Sequence, residues 1–120
     1  MSEVLKLKAD KRILPNLKYD EKGLLPAIAQ DRQTGDILML AYINSESLQR
    51  TVETGNATFW SRSRQKLWMK GETSGNVLKV FDILIDCDYD TLILKVDPAG
   101  PTCHTGKRTC FYRTLAERFT

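Results

Sequence analysis

The run Val77–Asp88 constrains the fold more than any other stretch of the chain. It reads Val-Leu-Lys-Val-Phe-Asp-Ile-Leu-Ile-Asp-Cys-Asp, and its β-branched and aromatic residues predict one long strand. A short acidic turn follows, Thr91–Val96 supplies a second strand, and Pro98 and Pro101 end the pair. An earlier hairpin is written as Ala27–Asp31 and Ile37–Ile43 around Gln33-Thr34-Gly35-Asp36, and it is expected to be a central piece of the sheet. Between the hairpins, Asn44 can cap a helix over Ser45–Thr54, with Glu46 and Arg50 four apart and Gly55 placed to stop it. Short strands fit Ala57–Ser61 and Leu67–Met69, and a last short strand fits Arg108–Tyr112 after a loop rich in glycine and threonine. One helix among strand pairs predicts an α+β, strand-rich single domain, because repeated βαβ units would need more helices.

With no repeat and no linker, residues 1–120 read as one domain. The charged segment 1–22, interrupted by Pro15, is expected to form a peripheral helix or an extended arm. Apolar residues make up 42% of the chain, which argues against disorder. No stretch approaches the ~18 consecutive apolar residues of a membrane span, and the start carries no apolar run leading to a cleavage site, so a cytoplasmic location is expected.

Three cysteines, Cys87, Cys103 and Cys110, cannot all pair within one chain, and they read as thiols that are free or metal-bound. The net charge of +3 is modest, but it is divided between a basic stretch at 62–70 and an acidic one at 82–90. That division suits an anionic substrate beside a cation better than a nucleic-acid groove.

The chemistry concentrates in three places. On an extended strand, Asp86, Asp88 and Asp90 would face one side and Cys87 the other. Three carboxylates on one face repel one another unless a cation sits among them, which points to magnesium or calcium; the plain alternative is an acidic hairpin end in water. Cys87 lies 16 residues before Cys103, and Cys103 seven before Cys110, spacings unlike the close pairs of structural zinc knuckles. Three thiolates leaving a fourth position open would suit a catalytic zinc, whereas two lone buried cysteines in strands would need no metal. His104, the only histidine, follows Cys103 directly. It could act as general acid or base beside a metal, serve as a fourth ligand, or be a solvated loop residue.

The third place is the stretch from Phe59 to Asn76, which holds Trp60, Ser61, Arg62, Ser63, Arg64, Trp68, Lys70, Glu72, Thr73 and Ser74. Arginine forks with hydroxyls suit a phosphate monoester, and an indole offers a face on which a base can stack. A nucleotide uses both. Against this, the tryptophans could be core residues and the arginines a solvated strand edge.

The runs FWSRSRQKLWMKGETSGN, DILIDCDYDTLILKV and GPTCHTGKRTCFYR, in that order, resemble the phosphoribosyl-AMP cyclohydrolase family of histidine biosynthesis, from about Leu24 to Tyr112. The resemblance implies an intertwined homodimer that uses zinc, one per subunit, and magnesium to open the N1–C6 bond of the adenine ring of phosphoribosyl-AMP with water. It implies zinc thiolates at Cys87 of one subunit and Cys103 and Cys110 of the other, and magnesium carboxylates at Asp86, Asp88 and Asp90. It also implies a catalytic His104 and a substrate pocket lined by Trp60 through Arg64 and Lys70 through Ser74. No fused pyrophosphohydrolase domain is expected. Two rivals from other classes are a zinc-stapled nucleotide-binding dimer without catalysis and, less in keeping with the charge, an RNA-binding domain.

Overall fold

A computed structural model describes residues 16–116. The charged segment expected to be a helix or arm therefore lies mostly outside the described residues; within its described end, Leu17 is buried against the core. In chain order the elements are β1 (Leu25–Asp31), β2 (Ile37–Ile43), α1 (Ser45–Thr54), β3 (Thr58–Ser61), β4 (Lys66–Met69), β5 (Leu78–Ile85) and β6 (Leu92–Pro98). The strands form one six-stranded sheet in the order β4-β3-β2-β1-β6-β5. The first hairpin lies at its centre, as expected.

Local chemistry explains the joints. Asn44 and Ser47 form a reciprocal capping box, each side chain accepting the other's backbone N–H, at 2.8 and 2.9 Å. The helix stops at Gly55, whose φ of 77° is a left-handed conformation that glycine takes without strain. Thr51, on the buried face, accepts from the Thr58 N–H at 3.0 Å and donates to the Ser47 carbonyl at 2.9 Å, so helix and β3 are tied by a satisfied buried hydroxyl.

The sheet is mixed. β1 and β6 run parallel while every other neighbouring pair is antiparallel. Its ends also approach one another: the Ala57 N–H bonds the Leu78 carbonyl at 2.9 Å and the Val80 N–H the Gly55 carbonyl at 2.8 Å, so the chain entering β3 meets edge strand β5. This curl encloses Leu25, Ala27 and Ala29 of β1, Leu92, Leu94 and Val96 of β6, Leu78, Val80 and Phe59, with Leu48 of α1 beside them. Strict alternation on β1 and β6 gives those strands one buried face each.

The opposite face carries a row of apolar residues, one from each of four adjacent strands. Leu84 pairs with Ile93, Ile93 with Ile28, and Ile28 with Leu40. Leu84 and Leu40 are 44% and 46% exposed.

Two expectations are corrected. β5 ends at Ile85 and not at Asp88, because Asp86 bonds back across the turn: its N–H donates to the Thr91 carbonyl, and its side chain accepts from Asp90 and Thr91. Residues 108–112 form no strand. Cys110 gives one backbone bond to Leu38 and the Thr109 side chain bonds the Ile37 carbonyl, but no ladder forms. Among the described residues, no helix is long and apolar enough to cross a membrane.

Candidate active site

The acidic cluster forms in a turn, not along a strand face. Asp86, Asp88 and Asp90 bring ligand oxygens within 4.8 Å of one another, close enough to hold one cation. Tyr89, at φ 61°, turns the chain back on itself between them. The Asp86 carboxylate accepts the N–H groups of Asp90 at 2.9 Å and Thr91 at 3.2 Å, and these donors, Asp90's first, hold its pKa below the usual carboxylate range. Asp90 is pushed up, first by its side-chain hydrogen bond to Asp86 and then by desolvation and the Asp86 charge. Mutual repulsion of this kind among adjoining carboxylates is what a bound cation would relieve. Beside it opens a groove of about 490 Å³ lined by Lys18, Asp20, Leu25, Pro26, Asp88 and Asp90, and the Lys18 N–H fastens the Tyr89 carbonyl at 2.7 Å.

Cys103 and Cys110 come together at the other end of the sheet. The loop that carries them is closed on itself by Thr102 N–H to the Arg108 carbonyl at 3.1 Å and Cys103 N–H to the Lys107 carbonyl at 3.0 Å. Cys110 is docked on the Leu38 carbonyl at 2.8 Å. The Thr105 hydroxyl donates to the Cys103 sulfur at 3.0 Å, and with the Thr105 N–H it draws that thiol's pKa down. Partial burial, and then the charge on Cys103, push Cys110 up. The Lys70 ammonium favours the ionised form of both. The first thiolate of the pair is therefore Cys103, and Thr105 is a contributor that spacing alone did not single out.

Cys87 is elsewhere. It is an exposed residue of the acidic turn, and the cysteines form no convergent trio of ligand atoms among the described residues. The turn lies where β1 begins, since Ala27 pairs with Leu92, while the Cys103 loop follows β6 beyond the Asp31–Val96 pair. The length of a seven-residue strand, about 20 Å at roughly 3.3 Å per residue, separates the two ends.

His104 is exposed at the rim of the thiol loop. Trp60 and Trp68 are half-buried, neither core nor free. Trp68 packs on Phe59 with ring centroids 5.4 Å apart, and Trp60 pairs with Tyr42 across β2 and β3. Arg62 lies over the Tyr42 ring at 4.0 Å. Arg62, Ser63 and Arg64 are exposed in the β3–β4 turn, where the Ser61 hydroxyl accepts the Arg64 N–H at 3.2 Å. Glu72 accepts the Met69 N–H at 2.9 Å, and Thr73 and Ser74 complete an exposed turn. That turn is packed closely on the thiol loop's entrance: a Cβ on Gly71 would lie 2.3 Å from the Asn76 carbonyl carbon, and one on Gly100 2.4 Å from the Asn76 side-chain oxygen.

One small curled sheet thus carries a cation-competent carboxylate cluster, a thiol pair in which Cys103 is favoured as thiolate, with a histidine beside it, and a basic aromatic turn, a combination that points towards an enzyme. Comparison with known proteins makes the class specific. A family model described as phosphoribosyl-AMP cyclohydrolase matches residues 39–112. A phosphoribosyl-AMP cyclohydrolase of Chlorobium phaeovibrioides is 58% identical over 90% of this chain and 79% of its own length. One from Methanococcoides burtonii is 58% identical over 85% of this chain and 84% of its own, and one from Paracoccus denitrificans 53% identical over the same shares. The chain belongs to the phosphoribosyl-AMP cyclohydrolase family and is a hydrolase.

Proposed function

We propose that this protein hydrolyses the N1–C6 bond of the adenine ring of phosphoribosyl-AMP in histidine biosynthesis, at sites built between two copies of the chain. The observation that carries this reading is the placement of the thiols: Cys103 and Cys110 adjoin each other, and Cys87 lies at the far end of the same sheet. Around one zinc, thiolate sulfurs sit at most about 4.6 Å apart, twice the Zn–S distance. A third thiolate therefore has to come from a second copy. The outward row of Leu84, Ile93, Ile28 and Leu40 gives that copy an apolar surface to cover.

The donor chemistry fits the two metals. Paired thiols with a depressed first ionisation are soft ligands suited to zinc, and three convergent carboxylates suit magnesium. Cys103, Cys110 and the second copy's Cys87 would hold zinc, which would serve as a Lewis acid making water a usable nucleophile near neutral pH.

The chain's own groups do the remainder. The ribosyl substituent on N1 leaves the six-membered ring electron-poor. The water oxygen bonds to C6, the N1–C6 electron pair leaves on N1, and His104, beside Cys103, delivers the proton that N1 takes up. C6 ends as the carbon of a carboxamide. Arg62, Arg64, Ser61 and Ser63 hold a phosphate, Trp60 offers a ring face to the base, and Lys70, Glu72, Thr73 and Ser74 close the pocket on the thiol side. Asp86, Asp88 and Asp90 would hold magnesium, whose charge would offset that of the substrate phosphate.

Subunit mixing tests the reading. Cys87→Ser and Cys103→Ser proteins are each expected to be inactive in the ultraviolet assay of ring opening. Denatured and refolded together with zinc, they regain about a quarter of wild-type activity, because half the dimers are mixed and each has one intact site of two. No recovery in the mixture, with both parents folded and dimeric, would refute a site shared between chains.

A further inference from the structure

The thiol loop is closed on itself but has few ties to the sheet. It makes no ladder with the sheet, and its backbone reaches the strands through Cys110 N–H to the Leu38 carbonyl, with the Thr109 hydroxyl donating to the Ile37 carbonyl at 2.6 Å. Both attachments lie at one end of the loop. Arg108 is the residue that bridges the remainder. Its carbonyl accepts the Thr102 N–H, next to Cys103. Its guanidinium reaches in the other direction, donating to Asp31 Oδ2 at 2.7 Å, to Thr34 Oγ1 at 3.0 Å and to Asp36.

These acceptors are well placed to act as a fixed anchor. Asp31 is the last residue of β1, is buried, and is itself oriented by the Gln33 N–H at 2.9 Å and the Thr34 N–H at 3.3 Å. Asp36 closes the same turn, its carbonyl accepting the Asp31 N–H. A guanidinium fork between two carboxylates fixes direction as well as distance, which one ammonium could not do. Beyond the ties of Thr109 and Cys110 to β2, the loop is referenced to the centre of the sheet through the Arg108 side chain, two residues from Cys110 and joined through Thr102 to Cys103.

We propose that Arg108, seated on Asp31 and Asp36, is a positioning residue that sets the separation and orientation of the Cys103 and Cys110 thiols for metal capture. It touches neither metal nor substrate and acts through the loop it anchors. This inference rests on the reading of the thiol pair as a metal site.

The test is zinc affinity, measured on the full chain by competition with a chromophoric chelator, together with the thiolate-to-metal absorption of the cobalt-substituted protein. Arg108→Ala is expected to bind zinc 10- to 100-fold more weakly, the usual cost of removing a group that orients metal ligands, and to shift the cobalt bands. Arg108→Lys keeps the charge without the fork and should lie between it and wild type. Ethylguanidine added to Arg108→Ala should restore affinity in part, which a general loss of stability would not allow. Asp97→Asn breaks the nearby Arg32–Asp97 ion pair at 3.1 Å and is expected to leave zinc affinity and cobalt bands unchanged.

Wild-type affinity in folded Arg108→Ala, or in Arg108→Lys should the alanine variant not fold, would overturn the proposal. So would equal weakening by Asp97→Asn, which would make the effect one of regional stability. If Cys103→Ser binds zinc as tightly as wild type, the thiol site itself is wrong, and that failure is distinguishable because it appears before Arg108 is touched.

Discussion

Asp31 shows how much one carboxylate can organise. Burial alone would raise its pKa, but the N–H groups of Gln33 and Thr34 and the Arg108 charge outweigh that and hold it below the ordinary carboxylate range. A depressed folded pKa contributes stability that is present above the unfolded value of about 3.9 and is lost as pH falls through the folded value. Asp31→Asn is therefore expected to cost about 2 kcal/mol at pH 7, the scale of a charged hydrogen bond lost at a buried group. The gap between mutant and wild type should close as denaturant melts are repeated from pH 5 down towards pH 2. A gap that is constant with pH would mean that shape, not charge, holds the turn. His104 gives the opposite kind of residue, one expected to matter for turnover alone. His104→Ala should keep its zinc, by metal analysis, and lose 10²- to 10⁴-fold in kcat, the range for a general acid or base.

At the scale of elements, the sequence was most legible where one local rule decided the outcome. The Asn44 cap, the Gly55 stop and the strand pair around Gly35 all lie where expected, because capping and turn geometry depend on residues a few positions apart. It misled where distant partners decide. Asp86, Cys87 and Asp88 look like strand continuation, yet Asp86 satisfies its side chain within the turn and ends the ladder. Arg108–Tyr112 has strand composition but gives the sheet only one backbone bond, to Leu38, too little to make a ladder. The parallel pairing of β1 with β6 has no signature in either strand's own residues. Of the candidate site, every metal-ligand candidate was visible as a residue type in a motif, whereas Thr105 and Arg108 emerged only from their partners in space. The turn at 70–76 carries a prediction at this scale. Gly71 combines a φ of +82° with backbone contact to Asn76. Gly71→Ala should cost about 2 kcal/mol from the left-handed conformation alone, more with the clash, and raise KM by displacing Lys70 and Glu72, as melts and steady-state kinetics would show.

For the whole molecule, the decisive relation is between the two ends of the sheet. One end presents carboxylates and Cys87, the other a thiol pair, and the row from Leu84 to Leu40 runs between them on the outer face. Leu40→Asp combined with Leu84→Asp is expected to give a monomer in sedimentation that retains its secondary structure, loses zinc and has no ring-opening activity. A monomer with full zinc content would dissociate assembly from metal binding. The adjacency of β1 and β6 bears on how such a chain comes into being. The strand beginning at Leu25 finds one of its two neighbours only after β6 has been made, so a growing chain carries an unfinished edge from Asp31 until then. Pairing across that span makes folding slower than the hairpins alone would be. The thiol loop follows β6 along the chain, so Arg108 can reach Asp31 only after the strand that covers this edge has been made, and metal uptake by a newly made chain comes after synthesis of the whole sheet.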